Sequence, residues 1–157
     1  EKFTLELSSE QMEAYAQQLG ADCAFFIRNE PIFAFEKGDV FKDIKLDLSP
    51  YFLVLIMPMV QVSTAEAYQG VKPEASEQSL EELIKLPVEQ WKEKIKNDFE
   101  ISVFKKYPSI KAIKESLYKS GALYASMSGS GASVYGIFKN EIALPELEKD
   151  NQVYYGV

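Results

Sequence analysis

Tyr124-Ala125-Ser126-Met127-Ser128-Gly129-Ser130-Gly131-Ala132-Ser133-Val134-Tyr135-Gly136-Ile137-Phe138 reads as strand, loop, strand. An apolar segment enters a run of small residues and a second apolar segment leaves it. Gly129 and Gly131 allow positive φ and a close backbone approach to a ligand. Successive N–H groups of such a loop can converge on an anion, typically a phosphate. The same spacing suits a plain flexible turn, so the loop alone leaves both readings open.

Working outward, Ser109 is placed as the cap of a helix with Ile110, Ile113 and Leu117 on its buried face, closed by Gly121. That helix leads into a strand over 122–127, and 132–138 returns as the next strand. Upstream, Tyr51-Phe52-Leu53-Val54-Leu55-Ile56-Met57, bounded by Pro50 and Pro58, is expected to be a central strand buried on both faces. Between them, Ser63 with Glu66 and Ser79 with Glu82 resemble capping boxes opening two short helices. Val88, Trp91 and Ile95 mark a third helix, and Phe99, Val103 and Tyr107 a fourth, with Asp98 as its cap. A short helix at 145–149 and a last strand at 152–157 follow. Strand, helices, strand, strand, helix, strand is the split βαβ order of an α+β, ferredoxin-like two-layer domain.

Residues 1–45 do not fit into that layer, and the domain boundary is placed there. Ser8 and Ser9 with Gln11 cap a helix carrying Met12, Tyr15, Ala16 and Leu19, and Gly20 suits its end. Cys23–Ile27 and Ile32–Phe35 read as short strands joined through Arg28-Asn29-Glu30-Pro31, and Lys37-Gly38-Asp39 as a further turn. Phe25, Phe26, Phe33 and Phe35 have little within this stretch to bury them. The stretch 70–79 is the most loop-like of the chain.

Composition narrows the chemistry. The 157 residues include no histidine and one cysteine, Cys23. Ser-His-Asp and Cys-His catalysis are excluded, as is zinc held by the usual ligand set. A lone cysteine forms no internal disulfide and fits a reducing compartment, so the expected location is cytoplasmic. The formal net charge of −7 argues against nucleic acid as a partner. The longest apolar run is too short to span a bilayer, and no membrane partner is expected. The chain opens on charged Glu1 and Lys2, with no leader pattern, and without an initiator Met, which suggests an excised piece of a longer protein.

Two further positions are chemically suggestive. Asp22, between a helix end and an apolar segment, either caps a turn or serves as a carboxylate base for a hydroxyl proton. Thr64 and Tyr68 lie one helical turn apart at a strand exit, where a hydroxyl and an aromatic face could meet a polar ligand or simply cap and pack.

Taken in order, Leu19-Gly20-Ala21-Asp22-Cys23, Val62-Ser63-Thr64-Ala65-Glu66-Ala67-Tyr68, Asn97-Asp98-Phe99-Glu100 and Met127-Ser128-Gly129-Ser130-Gly131-Ala132-Ser133-Val134 resemble the C-terminal half of a GHMP small-molecule kinase. The resemblance is to the branch that phosphorylates the 2-hydroxyl of 4-diphosphocytidyl-2-C-methyl-D-erythritol with ATP, within non-mevalonate isoprenoid precursor synthesis. It implies that Asp22 is the catalytic aspartate, Thr64 a substrate contact and Tyr68 the residue that packs on cytosine. It also implies that Ser128, Gly129, Ser130, Gly131, Ala132 and Ser133 are the third motif of the family. Residues 46–157 would then be the C-terminal domain, and 1–45 a remnant of the N-terminal catalytic domain. Ala24 stands where the family usually has Pro, so the turn after Asp22 is expected to differ. The first motif, with its catalytic lysine, and the second, Gly-rich ATP loop have no counterpart in the chain. ATP and Mg²⁺ are therefore expected to need the missing N-terminal domain, and the chain alone is expected to hold neither and to be inactive. The alternatives are another kinase of the superfamily, acting on mevalonate or homoserine, and a non-catalytic ferredoxin-like binding or dimerisation module.

Overall fold

Ser8 opens the first helix as its spacing to Gln11 predicts. In the computed structural model, its hydroxyl accepts from the Gln11 amide at 3.3 Å while the Gln11 side chain accepts from the Ser8 amide at 2.9 Å. The structure describes residues 6–36, 38, 40–71 and 78–157, and the backbone alone of Ala21 and Asp22. The chain divides into two units, 1–46 and 47–157.

The first unit holds α1 (Ser9–Leu19), a 3₁₀ turn (Ala21–Ala24), α2 (Phe25–Arg28) and a hairpin of β1 (Ile32–Phe35) and β2 (Val40–Asp43). The strand expected at Cys23–Ile27 is therefore helical. The run is apolar enough for a strand, but its backbone closes locally: the Asn29 amide bonds Phe25 O at 2.8 Å and Asn29 takes φ 52° to end the turn. β1 pairs instead with β2, Ile32 opposite Asp43 and Phe35 opposite Val40. Lys37 and Asp39 of the predicted turn, and residues 72–77 of the predicted loop, lie outside the described residues. Among the described side chains of this unit only Ala16 and Ala24 are buried, whereas Leu19 is 84% and Phe26 70% exposed. The phenylalanines find one another, Phe25 with Phe26 at 5.2 Å and Phe33 with Phe35 at 4.7 Å, edge to face.

The second unit runs β3 (Phe52–Pro58), α3 (Thr64–Gly70), α4 (Leu80–Leu83), α5 (Trp91–Lys94), α6 (Phe99–Lys106), α7 (Pro108–Lys119), β4 (Tyr124–Met127), β5 (Val134–Phe138), α8 (Pro145–Glu148) and β6 (Asn151–Tyr155). The antiparallel sheet has the order β4-β5-β3-β6, which is the split βαβ arrangement expected. Val54 and Ile56 of β3, Ile110 and Leu117 of α7, and Ala125 and Val134 of the neighbouring strands are each fully buried in one cluster. Each large aliphatic side chain buried this way contributes about 1.5–3 kcal/mol.

Three expectations change here. β3 is fully buried on one face only: Val54 and Ile56 lie in the core, while Leu53 and Leu55 on the other face are half-buried and Met57 is 41% exposed. α7 begins at Pro108 rather than after Ser109, because the fixed φ of proline suits the first helical position, where no amide partner is needed. Ser63 precedes α3 but its side chain bonds no amide. Glu66 instead pairs with Lys106 at 2.8 Å and accepts from the Tyr107 hydroxyl at 3.3 Å, so α3 is held to α6. The Ser79 cap is present, its hydroxyl accepting from the Glu82 amide at 3.2 Å. Among the described residues no helix is long and apolar enough to cross a membrane.

Candidate functional site

The glycine loop joins β4 to β5 just past the pair Met127–Val134. It folds on itself: the Ser128 amide donates to Ser133 O at 2.8 Å and the Gly131 amide to Ser128 O at 2.9 Å. Gly129 and Gly131 have φ of 53° and 92°, the left-handed region that glycine enters without strain, and the Gly131–Ala132 peptide is cis. A Cβ at position 131 would stand 2.7 Å from Met127 Sδ, whereas one at 129 would meet nothing within 4 Å. Gly131 thus serves close packing, and Gly129 serves backbone shape. The amides of Ser128 and Gly131 are engaged inside the loop.

α3 carries two of the predicted site residues to this loop. Thr64 Oγ1 lies 3.4 Å from Ser130 Oγ. One turn on, Tyr68 is 63% exposed, and its ring meets Phe99 edge-on at 4.9 Å and 72°. An aromatic ring held by a neighbour yet open to solvent is a platform for a planar ligand. α3 approaches α6 closely, since a Cβ on Gly70 would fall 2.5 Å from Ser102 Cβ. Thr64, Tyr68 and Ser130 are therefore brought together within residues 47–157. Asp22 lies in the 3₁₀ turn of the other unit, and its side chain is outside the described residues.

Residues that carried no chemistry in the sequence hold this site in shape. Asp98 was the expected cap of α6, but its side chain makes no capping bond; Asn97 Oδ1 accepts from the Phe99 amide at 3.0 Å instead. Asn97 Nδ2 also donates to Met127 O and Gly129 O, both at 2.8 Å. Glu100, 9% exposed, accepts from the Met127 amide at 2.8 Å and the Ser126 hydroxyl at 3.2 Å, and pairs with Lys114 of α7 at 2.5 Å. One signal for Glu100 was available: it sits three residues before Val103 and four before Phe104, an apolar-face position for a charged residue. Local spacing offered Asn97 only its bond to the Phe99 amide, two residues on, because the carbonyls that its Nδ2 meets lie thirty or more residues away.

The loop separates two clefts. One, of about 430 Å³, is lined by Met57, Val60, Val62, Ala132, Ser133 and Gln152. The other, of about 520 Å³, is lined by Asn97, Asp98, Tyr124, Ser126, Gly129 and Tyr135. Burial pushes the Tyr124 and Tyr135 phenols above their ordinary range, and the Tyr124 hydroxyl donates to Ile95 O at 3.4 Å. Among the described residues no group of three or more His, Cys, Asp or Glu side chains could hold a metal ion.

Residues 76–152 match the family described as GHMP kinases C terminal. The 4-diphosphocytidyl-2-C-methyl-D-erythritol kinase of Bacteroides thetaiotaomicron is 53% identical over 154 residues, covering 98% of this chain and 56% of that protein. Its counterpart in Cytophaga hutchinsonii is 47% identical over 150 residues, covering 95% and 54%. A crystal structure of 4-(cytidine 5'-diphospho)-2C-methyl-D-erythritol kinase matches with a TM-score of 0.79 at 23% identity, over 99% of this chain and 58% of that one. Homoserine kinase from Cytophaga hutchinsonii matches with a TM-score of 0.61 at 14% identity, over 97% and 58%. At such identities the two structures speak for the fold. The chain spans about half the length of the curated relatives it matches.

Proposed function

The chain belongs to the GHMP kinase family, whose C-terminal domain it carries, and from that premise we propose that it is part of an ATP-dependent kinase acting on the 2-hydroxyl of 4-diphosphocytidyl-2-C-methyl-D-erythritol. The observation that carries the reading is Tyr68, exposed and propped edge-on by Phe99, one turn from the Thr64–Ser130 contact at the glycine loop. A cytosine ring offers a planar partner for that platform, and stacking of a base on an aromatic side chain is worth about 1–3 kcal/mol. Thr64 offers a hydroxyl to the same ligand, and the loop over 128–133 forms the adjoining wall. Asp22 accepts the proton of the substrate hydroxyl, a task for a carboxylate in a chain without histidine. The first unit, 1–46, then belongs with the catalytic domain of the longer protein, to which its exposed Leu19 and Phe26 would be apposed.

ATP and Mg²⁺ would meet neither a Gly-rich ATP loop nor the catalytic lysine of the family in this chain. Both would be held by the rest of the longer protein, in the cytoplasm. The test is steady-state phosphorylation by the full-length protein. Tyr68→Ala should raise KM for the cytidyl alcohol about tenfold or more while leaving KM for ATP unchanged. An unchanged KM for the alcohol refutes the stacking role. The isolated chain should show no turnover, and measurable phosphorylation by it would refute the assignment of ATP binding to the remaining part.

A further inference from the structure

We infer that Asn97 is a positioning residue that locks the glycine loop to the Tyr68 platform, so that one side chain sets the separation of two walls of the proposed site. The functional part of this inference rests on the kinase reading; the mechanical part does not.

The chemistry of the Asn97 amide is fully matched to its surroundings. It has two N–H donors, and they go to Met127 O and Gly129 O at 2.8 Å each. Those carbonyls stand on either side of Ser128, so the pair of bonds fixes the peptide planes where β4 turns into the loop. The amide oxygen accepts from the Phe99 amide at 3.0 Å. Rotating the amide by half a turn would set its oxygen against two carbonyl oxygens, so the orientation is dictated by the partners. No side chain of similar size can replace all three bonds. Aspartate has no donor, serine has one, and leucine has neither donor nor acceptor.

The contacts then continue without a gap. Phe99, whose amide Asn97 holds, presents its ring to Tyr68 at 4.9 Å. Gly129, whose carbonyl Asn97 holds, precedes Ser130, whose hydroxyl lies 3.4 Å from Thr64. Loop, Asn97, Phe99 and Tyr68 thus form one chain of contacts, closed on the far side by the Thr64 of α3. Glu100 reinforces it from beneath by accepting from the Met127 amide at 2.8 Å, so the Met127 residue is gripped at its N–H by Glu100 and at its carbonyl by Asn97.

Asn97→Asp separates the two arms. The carboxylate still accepts from the Phe99 amide, which keeps α6 and the Tyr68 prop, but it repels the two loop carbonyls. In this chain, hydrogen exchange at the Ser128 and Gly131 amides should quicken about tenfold or more, while the amides of Ile113 and Leu117 in α7 keep their protection and report an intact fold. In the full-length protein, kcat should fall about tenfold or more, with KM for the cytidyl alcohol within about twofold of wild type, because the platform is spared. Tyr68→Ala should show the opposite split. If Asn97→Asp does not fold, Asn97→Ser, which keeps one donor, is expected to show the same pattern at smaller amplitude. Loop amides that exchange as in wild type overturn the lock. A loosened loop with kcat unchanged overturns its part in positioning. A loosened loop in a protein whose wild type does not phosphorylate the cytidyl alcohol refutes the kinase reading and leaves the lock standing.

Discussion

Replacing Glu100, the buried charge among the described residues, should cost the second unit several kcal/mol of stability, about 3–4. Its carboxylate meets Lys114 Nζ at 2.5 Å, the Met127 amide at 2.8 Å and the Ser126 hydroxyl at 3.2 Å. The side chains of Glu100 and Lys114 are 11% and 20% exposed, so solvent screens the pair little. In Glu100→Ala the amide of Met127, a residue 1% exposed, loses its acceptor. A buried donor left unpaired costs about 1–3 kcal/mol. Lys114 also loses its counter-charge, and its residual exposure lets water soften that loss, which brings the sum to about 3–4 kcal/mol, within the range for breaking a buried pair. Glu100→Gln keeps an oxygen for Met127 but removes the charge and the acceptor that Lys114 meets, so a loss smaller than that of alanine, about half, is expected. Trp91 is the single tryptophan of the chain and is 3% exposed within the same unit, so its fluorescence reads this unfolding directly. With a urea m-value of about 1.5 kcal/mol/M, the midpoint should drop by about 2 M for Glu100→Ala and about 1 M for Glu100→Gln. A drop below about 0.5 M for the alanine variant would refute the claim that this carboxylate organises β4.

Gly131→Ala should cost about 2 kcal/mol in the same titration, because positive φ and the Met127 sulfur both oppose a Cβ, whereas Gly129→Ala, with open space, should cost about 1 kcal/mol. Gly70→Ala should push α3 from α6 and weaken cytidine diphosphate binding by the full-length protein. Ser102→Gly in the double variant should restore it, while Ser102→Ala, which keeps the obstructing Cβ, should not. The buried tyrosines predict alkaline lability. Burial raises the folded-state pKa of Tyr124 and Tyr135 above the ordinary value of 10.0, so the unfolded chain releases these protons first. Their stability contribution is intact below pH 10 and falls above it, by about 1.4 kcal/mol per pH unit per phenol. Trp91 fluorescence followed from pH 9 to 12 should show the loss, and Tyr124→Phe should move it upward.

Much of the second unit was legible because its signals are local. The apolar run after Pro50, the spacing of Ile110, Ile113 and Leu117, and small residues between two apolar segments each specify an element without reference to distant chain. The failures have one cause. Cys23–Ile27 has strand composition, yet its backbone closes locally into helical turns, the Asn29 amide bonding Phe25 O. Ser63 and Ser109 have capping chemistry, yet Glu66 found Lys106 and Pro108 took the first helical position. A polar side chain has several acceptable partners, and packing selects among them.

The site divides along the same line. The sequence by itself determined the strand-loop-strand, its glycines, and the kinds of side chain available at Asp22, Thr64 and Tyr68. A charge-poor loop and a chain without histidine were legible from composition alone. Only the tertiary structure decided that Tyr68 leans on Phe99, that Thr64 reaches Ser130, and that Asn97 and Glu100 grip Met127 from two sides. Local spacing specifies periodicity and turns through covalent geometry. Which carbonyl an amide nitrogen meets across thirty residues is set by how the helices pack on the sheet, and no short-range pattern encodes it.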